Sequence, residues 1–453
     1  MTDDIGEPGS SAKTEQPELK RAIGPKLLMF FVVGDILGTG VYALTGTVAG
    51  KVGGALWIPF LLAFVVAFFT AFSYLELVGK YPKAAGAALY TNKAFGVPFL
   101  TFMVAFAVMC SGITSASSAA KAFGDQYLGA FVDVPAVPVA ILFVIGLALV
   151  NFRGVAESVK ANVVLTIIEI SGLAIIIVVG AWAALRGEGE PSRLTEVNTS
   201  DNVWLVAITS ATSLAFFAMV GFEDSVNMAE ECKNPARIFP KAMLWGMAIA
   251  ATIYILVALT SSLLVSPEEL ANAKDGALLK VLDVGAPGFP REVFSAIGLF
   301  AVTNSALINM LMASRLVYGM ANEGIVPKSL GTVHPLRRTP WVSIAFTSLI
   351  AIILVSTVDL KILGGTTALL LLAVFTLVNI AVLVLRKDVK EHKHFRAPTV
   401  IPILAAFFCA YLVSPLSGRE PRDYVVGGIL LVVGIVLWLI NYVFLRVVKQ
   451  RES

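Results

Sequence analysis

Three acidic side chains stand inside long apolar runs, where a charge is costly. Asp35 lies in Gly34-Asp35-Ile36-Leu37-Gly38-Thr39-Gly40-Val41-Tyr42. Glu223 follows Phe216-Phe217-Ala218-Met219-Val220-Gly221-Phe222, and Glu169 sits in Thr166-Ile167-Ile168-Glu169-Ile170-Ser171-Gly172. An aspartate at the centre of a membrane helix costs about 3 kcal/mol on insertion scales. Each glycine in a helix costs roughly 1 kcal/mol relative to alanine. Three glycines within seven residues around Asp35 therefore weaken the first apolar run near its middle, and Gly221 beside Glu223 does the same to the sixth. Where a helix is interrupted, backbone N–H groups on one side and C=O groups on the other lose their partners. The N–H end attracts an anion and the C=O end a cation. Two such interruptions suit a zwitterion with a carboxylate and an ammonium. For the first run the plainer alternative is a glycine notch for close helix packing, but a notch has no need of the aspartate. Helix-end capping is an alternative account of Glu223 and, less well, of Asp35.

These residues must be positioned by lipid-embedded helices. The chain has 453 residues, 57% apolar and only 14% charged, with a mean hydropathy of +0.83. Soluble proteins carry roughly 25% charged residues, so an ordinary cytosolic enzyme and a disordered regulator are excluded. The net charge of +3 offers no basic face for a nucleic acid. Cys110, Cys232 and Cys409 form no CxxC pair, so neither a disulfide framework nor a metal site is indicated. His334, His392 and His394 fall in polar connections. Runs of about 20 apolar residues mark spanning helices. About twelve occur, near 27–50, 54–79, 95–120, 135–153, 157–184, 203–229, 239–265, 292–320, 341–358, 361–386, 397–414 and 424–446. The expected architecture is an all-α polytopic membrane protein, with polar tails at 1–26 (disordered to about Lys20) and 447–453. No signal peptide is recognised in the first tail.

Basic residues set the orientation. With the N-terminus inside, cytoplasmic segments hold Lys20, Arg21 and Lys26; Lys80, Lys83 and Lys93; Arg153 and Lys160; Lys233, Arg237 and Lys241. The same side then takes Arg315, Lys328, Arg337 and Arg338, and the cluster from Arg386 to Arg396. The opposite loops carry mixed charge, such as Glu188, Glu190, Arg193, Glu196 and Asp201, or Glu268, Glu269, Lys274 and Asp275. Both termini are expected in the cytoplasm. The two interruptions lie five spans apart, so their helices run in opposite directions. Interrupted helices at matching places in inverted halves point to a secondary transporter's binding site.

The flanks of these interruptions carry a resemblance. Gly38-Thr39-Gly40-Val41-Tyr42 resembles the first-helix signature of the amino acid–polyamine–organocation permeases. So does Tyr81-Pro82-Lys83-Ala84-Ala85-Gly86-Ala87-Ala88-Leu89-Tyr90. Gly221-Phe222-Glu223 leads into a third match, Ala229-Glu230-Glu231-Cys232-Lys233-Asn234-Pro235-Ala236-Arg237-Ile238-Phe239-Pro240. Arg315 to Gly324 with Pro327, and Phe395-Arg396-Ala397-Pro398, complete the set. The cationic amino acid transporter-like branch looks most similar. The resemblance implies a LeuT-type fold, with 27–184 and 203–386 as five-span inverted repeats, spans 1 and 6 unwound, and 397–446 as two peripheral helices. It implies a substrate carboxylate on the backbone of Gly38, Thr39 and Gly40. The amino group would meet carbonyls of Ile36, Ala218 and Val220 beside Gly221, with Phe217 closing over the substrate. Proton-coupled relatives often place a lysine where this chain has Glu169. Sodium-coupled relatives of the fold place a hydroxyl pair where it has Thr303 and Asn304.

A carboxylate out of water can exchange a proton or hold a cation. Glu169, on one helix face with Thr166 and Gly172, is the expected proton carrier. Sodium near Thr303 is the alternative coupling ion, and structural pairing of Glu169 with a basic residue is the alternative without coupling. Asp35 and Glu223 could draw a cationic substrate or take part in coupling. Glu76, nearer a span end, is better explained by a loop ion pair, and Asp224, Glu230 and Glu231 by a place at the cytoplasmic surface. The run Ser111 to Ala120 reads as a packing face, and Gly364 to Thr367 as either an outer gate or a packing element. A channel would show repeated pore elements or charge rings, and a membrane enzyme a nucleophile–base pair or metal ligands; neither occurs. The expectation is an amino acid permease of the plasma membrane working by alternating access, with an amine or cationic amino acid transporter as the alternative. It would need no bound cofactor and no nucleic acid partner, and a monomer would suffice.

Overall fold

A computed structural model describes residues 23–83, 86–153, 158–198, 203–273, 276–322, 326–337, 339–390 and 392–452. The tail up to residue 22, together with Ala84, Ala85, Asp201, Lys274, Asp275, Glu323, Gly324 and Arg338, lies outside the described residues. The architecture is helical: α1 (Pro25–Ile36), α2 (Thr39–Val52), α3 (Trp57–Lys80), α4 (Gly86–Phe95), α5 (Pro98–Ala122), α6 (Ala136–Arg153), α7 (Ser158–Leu185) and α8 (Trp204–Ala215) form the first part. The rest comprises α9 (Pro235–Leu264), α10 (Pro267–Ala273), α11 (Ala277–Gly285), α12 (Arg291–Asn322), α13 (Trp341–Thr357), α14 (Leu360–Leu385), α15 (Val400–Val413) and α16 (Pro421–Glu452). Among the described residues, ten helical stretches are long and apolar enough to cross a membrane, and the shorter apolar α13 and α15 accompany them. This is a multi-pass membrane protein. Only helices satisfy all backbone hydrogen bonds within one segment in lipid, so side chains outside the core need only be apolar. Leu142, Val178, Trp245 and Leu349 accordingly stand exposed.

Proline opens α1, α5 and α9, where its missing N–H would have no partner anyway. Two connections differ from the expected plain loops. Residues near 266–291 fold into α10 and α11, because Leu278, Val281 and Leu282 form an apolar face that buries against the bundle. The third span does not end near 120 but continues through a π-helical turn at Phe123–Tyr127. The helix beginning at Pro421 continues unbroken to Glu452.

The packing repeats itself. α3 packs on α9, α5 on α12 and α6 on α13, each joining a helix to the one five spans later. Other pairs come in duplicate with the same offset. The α1–α9 pair recurs as α8–α3, α1–α7 as α8–α14, α7–α12 as α14–α5, and α7–α9 as α14–α3. The last two helices lie outside this scheme, with α15 against α14 and α3, and α16 against α14 and α5.

Candidate substrate site

The first span is broken where the glycines cluster. α1 ends at Ile36, Leu37 closes it by donating its N–H to the Val33 carbonyl at 2.9 Å, and α2 restarts at Thr39 with no side chain capping it. The first-turn N–H groups of α2 thus have no acceptor in their own helix. The sixth span breaks in another way. α8 tightens into a 3-10 turn at Phe216–Met219, Val220 is extended, and a second 3-10 stretch covers Asp224–Glu231. Gly221 between them has φ +124°, a region closed to most side-chain-bearing residues.

The two breaks press against each other. A Cβ on Gly40 would lie 2.7 Å from the Ala218 Cβ, and one on Gly221 would lie 2.8 Å from the Asp35 carbonyl carbon and oxygen. Between them is a cavity of about 10 Å³, room for roughly one water molecule. Asp35, Ile36, Thr39 and Gly40 line it from the first span, and Phe217, Val220 and Gly221 from the sixth. Ser115 of α5, with Ser305 and Asn309 of α12, complete the wall. Gly38 sits just behind, facing Ser305 closely enough that a Cβ would be 2.7 Å from its hydroxyl. The Thr39 hydroxyl and Asp35 Oδ2 are buried with no hydrogen-bond partner. The Ile36 carbonyl accepts from the Tyr254 hydroxyl of α9. Glu223 Oε2 accepts from the Gly221 N–H at 2.9 Å, a capping bond inside the break itself.

Glu169 does not line the cavity. It lies fully buried behind the first break, where Asn304 Nδ2 donates to its Oε1 at 3.4 Å and Asn162 Nδ2 donates to Asn304 Oδ1 at 3.5 Å. Its Oε2 has no partner, and among the described residues no ion pair involves it. Its backbone carbonyl accepts from the Tyr42 hydroxyl at 2.7 Å, which ties α7 to the start of α2. Thr303 turns elsewhere, donating its hydroxyl to the Leu299 carbonyl one turn back at 2.6 Å.

Several further residues of this region carry sequence signals of their own. Asn162 continues the Thr166–Glu169 stripe one turn earlier, and Ser305 with Asn309 is an i, i+4 polar pair in an apolar helix. Tyr254 has no such signal. Ser115 belongs to the small-residue run of α5, most of which is buried against α12 and α14. Glu76 meets Arg386 in the linker after α14, with Nε–Oε1 at 3.0 Å and Nη2–Oε2 at 2.8 Å. Asp224 is half-buried. In α14, Gly364 packs near the Phe217 ring, while Thr367 and Thr114 share a hydrogen bond of 2.6 Å.

A polytopic membrane protein with two facing helix breaks around a small polar cavity is built as a small-molecule transporter, not as an enzyme. The family described as Amino acid permease matches residues 23–440, and the chain belongs to it, within the amino acid–polyamine–organocation superfamily. Among similar proteins is the branched-chain amino acid permease BcaP of Bacillus subtilis, 26% identical over 95% of each chain. The methylthioribose transporter of the same organism is 27% identical over 92% of this chain and 93% of its own. Cationic amino acid transporter 4 of the mouse is 27% identical over 82% of this chain and 60% of its own.

Proposed function

We propose that this chain is a secondary transporter of amino acids in the plasma membrane, working by alternating access around the cavity between the two breaks. The observation that carries the reading is the juxtaposition itself. The uncapped start of α2 and the backbone of Ile36 and Val220 face one closed cavity. The substrate carboxylate binds the N–H groups of Gly38, Thr39 and Gly40, and its ammonium binds the carbonyls of Ile36, Ala218 and Val220. Phe217 and Gly221 shape the wall over it. A cavity of roughly one water's size corresponds to a closed state, so substrate enters only after one side separates.

The finer architecture belongs to the same proposal: twelve spans, a LeuT-type pair of five-span inverted repeats, both termini in the cytoplasm, and a monomer as the working unit. The duplicated packing pairs with their five-span offset support it, as does the position of α15 and α16 outside that scheme. Proton coupling runs through Glu169, supported by its burial, its partnerless Oε2 and a neighbour, Asn304, that can donate to it. Thr303, turned to its own helix, gives little support to sodium. A neutral amino acid is the favoured cargo, since Ile36, Phe217 and Val220 put an apolar patch in a wall that is otherwise polar. The second reading, a cationic amino acid or amine, is favoured by one observation: Asp35 Oδ2 is buried beside Gly221 without a partner.

The test is uptake of a panel of labelled amino acids and amines into sealed liposomes, with a proton gradient, a sodium gradient or neither, for wild type and Glu169→Gln. Amino acid uptake that rises with the proton gradient and collapses in the variant is the expected result. Amine uptake without any amino acid uptake overturns the carboxylate assignment, and uptake that follows sodium alone overturns the role of Glu169.

A further inference from the structure

A polar network outside the cavity region is made by a short loop between the two peripheral helices, residues 414–420. Arg419 is only 1% exposed at its side chain, yet it reaches three different helices. It donates to the Gly365 carbonyl of α14 at 2.7 Å, the Ser213 carbonyl of α8 at 3.3 Å and the Leu412 carbonyl of α15 at 3.2 Å. It also pairs with Asp423 of α16 at 3.3 Å. The next residue, Glu420, accepts from Lys51 at the end of α2 and from Lys361 in the first turn of α14, both at 2.9 Å. On the loop's other side, the Thr209 hydroxyl of α8 donates to the Ser417 carbonyl at 3.0 Å. Gly418, with φ +74°, lies so close that a Cβ there would be 3.2 Å from the Ser210 Cβ.

Seven residues thus bind α2, α8 and α14 to one another. The identity of these helices gives the contact its meaning. α2 runs from the cavity at Thr39 and Gly40 to Lys51, and α8 runs from Trp204 to the cavity at Phe217, so both are the halves of the broken spans on one side of the site. α14 seals the gap between them, since a Cβ on Gly364 would touch Leu44 of α2 and lie 3.6 Å from Phe217. The cavity cannot open toward this face unless α2 or α8 parts from α14.

We infer that the 414–420 loop is a strap that closes the site on this face, with Arg419 as its buried bolt and Glu420 as its rim clasp. The peripheral helices then do more than cover the bundle, because they carry the strap. The two parts differ in strength. Glu420, Lys51 and Lys361 are all partly exposed, and such pairs contribute little in water. Arg419 makes charge-assisted bonds away from solvent, where losing them leaves a buried charge unmatched. Opening therefore begins at the rim and is limited by withdrawal of Arg419. For its consequence on transport the inference rests on the proposed substrate site; for the gating itself it does not.

The experiment locks and loosens the strap in the full-length protein in sealed liposomes. In Ser210→Cys with Gly418→Cys the two Cβ atoms stand 3.2 Å apart, just under the usual disulfide range. A Cβ at φ +74° and 2.7 Å from the Val206 side chain strains the loop, so the reduced double variant is the reference, and the native cysteines are all buried. Oxidation is expected to cut amino acid exchange in proportion to the fraction cross-linked, and reduction to restore it, which excludes misfolding. Exchange that continues when mass spectrometry shows the cross-link formed overturns the strap. A second readout needs no transported substrate. In a Ser115→Cys background, a membrane-impermeant thiol reagent added on the loop's side is expected to label the cavity about threefold faster with Glu420→Gln. The oxidised lock should slow the same labelling. If the protein moves no amino acid at all, the proposed cargo fails while labelling still reports the strap. Labelling that ignores both variants sinks the strap whatever the cargo.

Discussion

Replacing Gly221 by alanine tests whether the break in the sixth span is built into the backbone or merely tolerated. Two costs act at this position. A side-chain-bearing residue at φ +124° carries roughly 1–3 kcal/mol of backbone strain. The new methyl would also stand 2.8 Å from the Asp35 carbonyl carbon and oxygen. Those are backbone atoms that cannot swing aside, and overpacking of this kind costs about 1–3 kcal/mol. Together they come to at least about 2 kcal/mol, and at 1.4 kcal/mol per factor of ten the closed geometry would be disfavoured by roughly 30-fold or more. Initial uptake rates in liposomes, read beside the melting temperature in detergent, measure the effect. Gly319→Ala in α12 is the control, because nothing lies within 4 Å of its added Cβ and alanine inside a helix gains about 0.5–1 kcal/mol. The expected outcome is a large loss of uptake, with or without a lower melting temperature, for Gly221→Ala and no loss for Gly319→Ala. Uptake within about twofold of wild type for both variants would refute the reasoning, since the cost is about 2 kcal/mol at its least.

Other consequences can be checked alongside. Arg386→Met should lower the melting temperature, because it leaves the buried Glu76 carboxylate with only the Ala397 N–H, a loss below the about 3–5 kcal/mol of a fully buried pair. Adding Glu76→Leu to it should recover part of the loss, and a double variant less stable than Arg386→Met alone speaks against the pair. Tyr254→Phe removes the hydroxyl that bonds the Ile36 carbonyl. A loss of about 0.5–1.5 kcal/mol should appear as a raised KM for the amino acid in uptake assays, and an unchanged KM disconnects α9 from the ammonium end. The pH dependence of uptake should survive Glu420→Gln and vanish in Glu169→Gln. Burial alone would raise the Glu420 carboxylate, but hydrogen bonds and charges from Lys51 and Lys361 outweigh it and hold it at about 2. A group lowered in the folded state contributes stability above its ordinary value near 4.5 and loses it only as the pH falls toward 2. Between about pH 5 and 8 the clasp is therefore constant, and a shifted uptake profile in Glu420→Gln over that window contradicts this.

The sequence made the broken spans legible for a physical reason. Lipid gives no cause for Gly34, Asp35, Gly38 and Gly40 to stand together in a run whose neighbours are Phe, Val and Leu, so the exceptions stand out against the background. The amino acid permease family follows from those motifs. What stayed hidden are partnerships between distant positions. Tyr254 meets Ile36 across 218 residues, and Glu76 meets Arg386 across 310. In a soluble helix an apolar stripe tells which face is inward, but here lipid and protein neighbours are equally apolar, so only the sparse polar stripes Asn162–Thr166–Glu169 and Ser305–Asn309 mark the inward faces of α7 and α12. α10 and α11 escaped a criterion based on length, since they bury an apolar face without being long enough to span.

The place of α14 shows why these ties matter for a moving protein. In its second turn, Thr367 bonds Thr114 of α5. At one end Arg419 and Glu420 join it to α8 and α2, and at the other Arg386 and Lys80 join it to α3. Apolar surfaces slide past each other with little change in energy, since the dispersion attraction given up on one side is regained on the other. Hydrogen bonds in a low-dielectric interior break or hold as units. α14 is held by polar ties at both ends and by the Thr367–Thr114 and Asn379–Thr70 bonds between them, so it yields in discrete steps, and releasing one end leaves the other as a pivot. On the proposed alternating access, opening at the strap with Arg386 held and opening at Arg386 with the strap held would be two alternative movements of the same helix, as a two-sided gate requires.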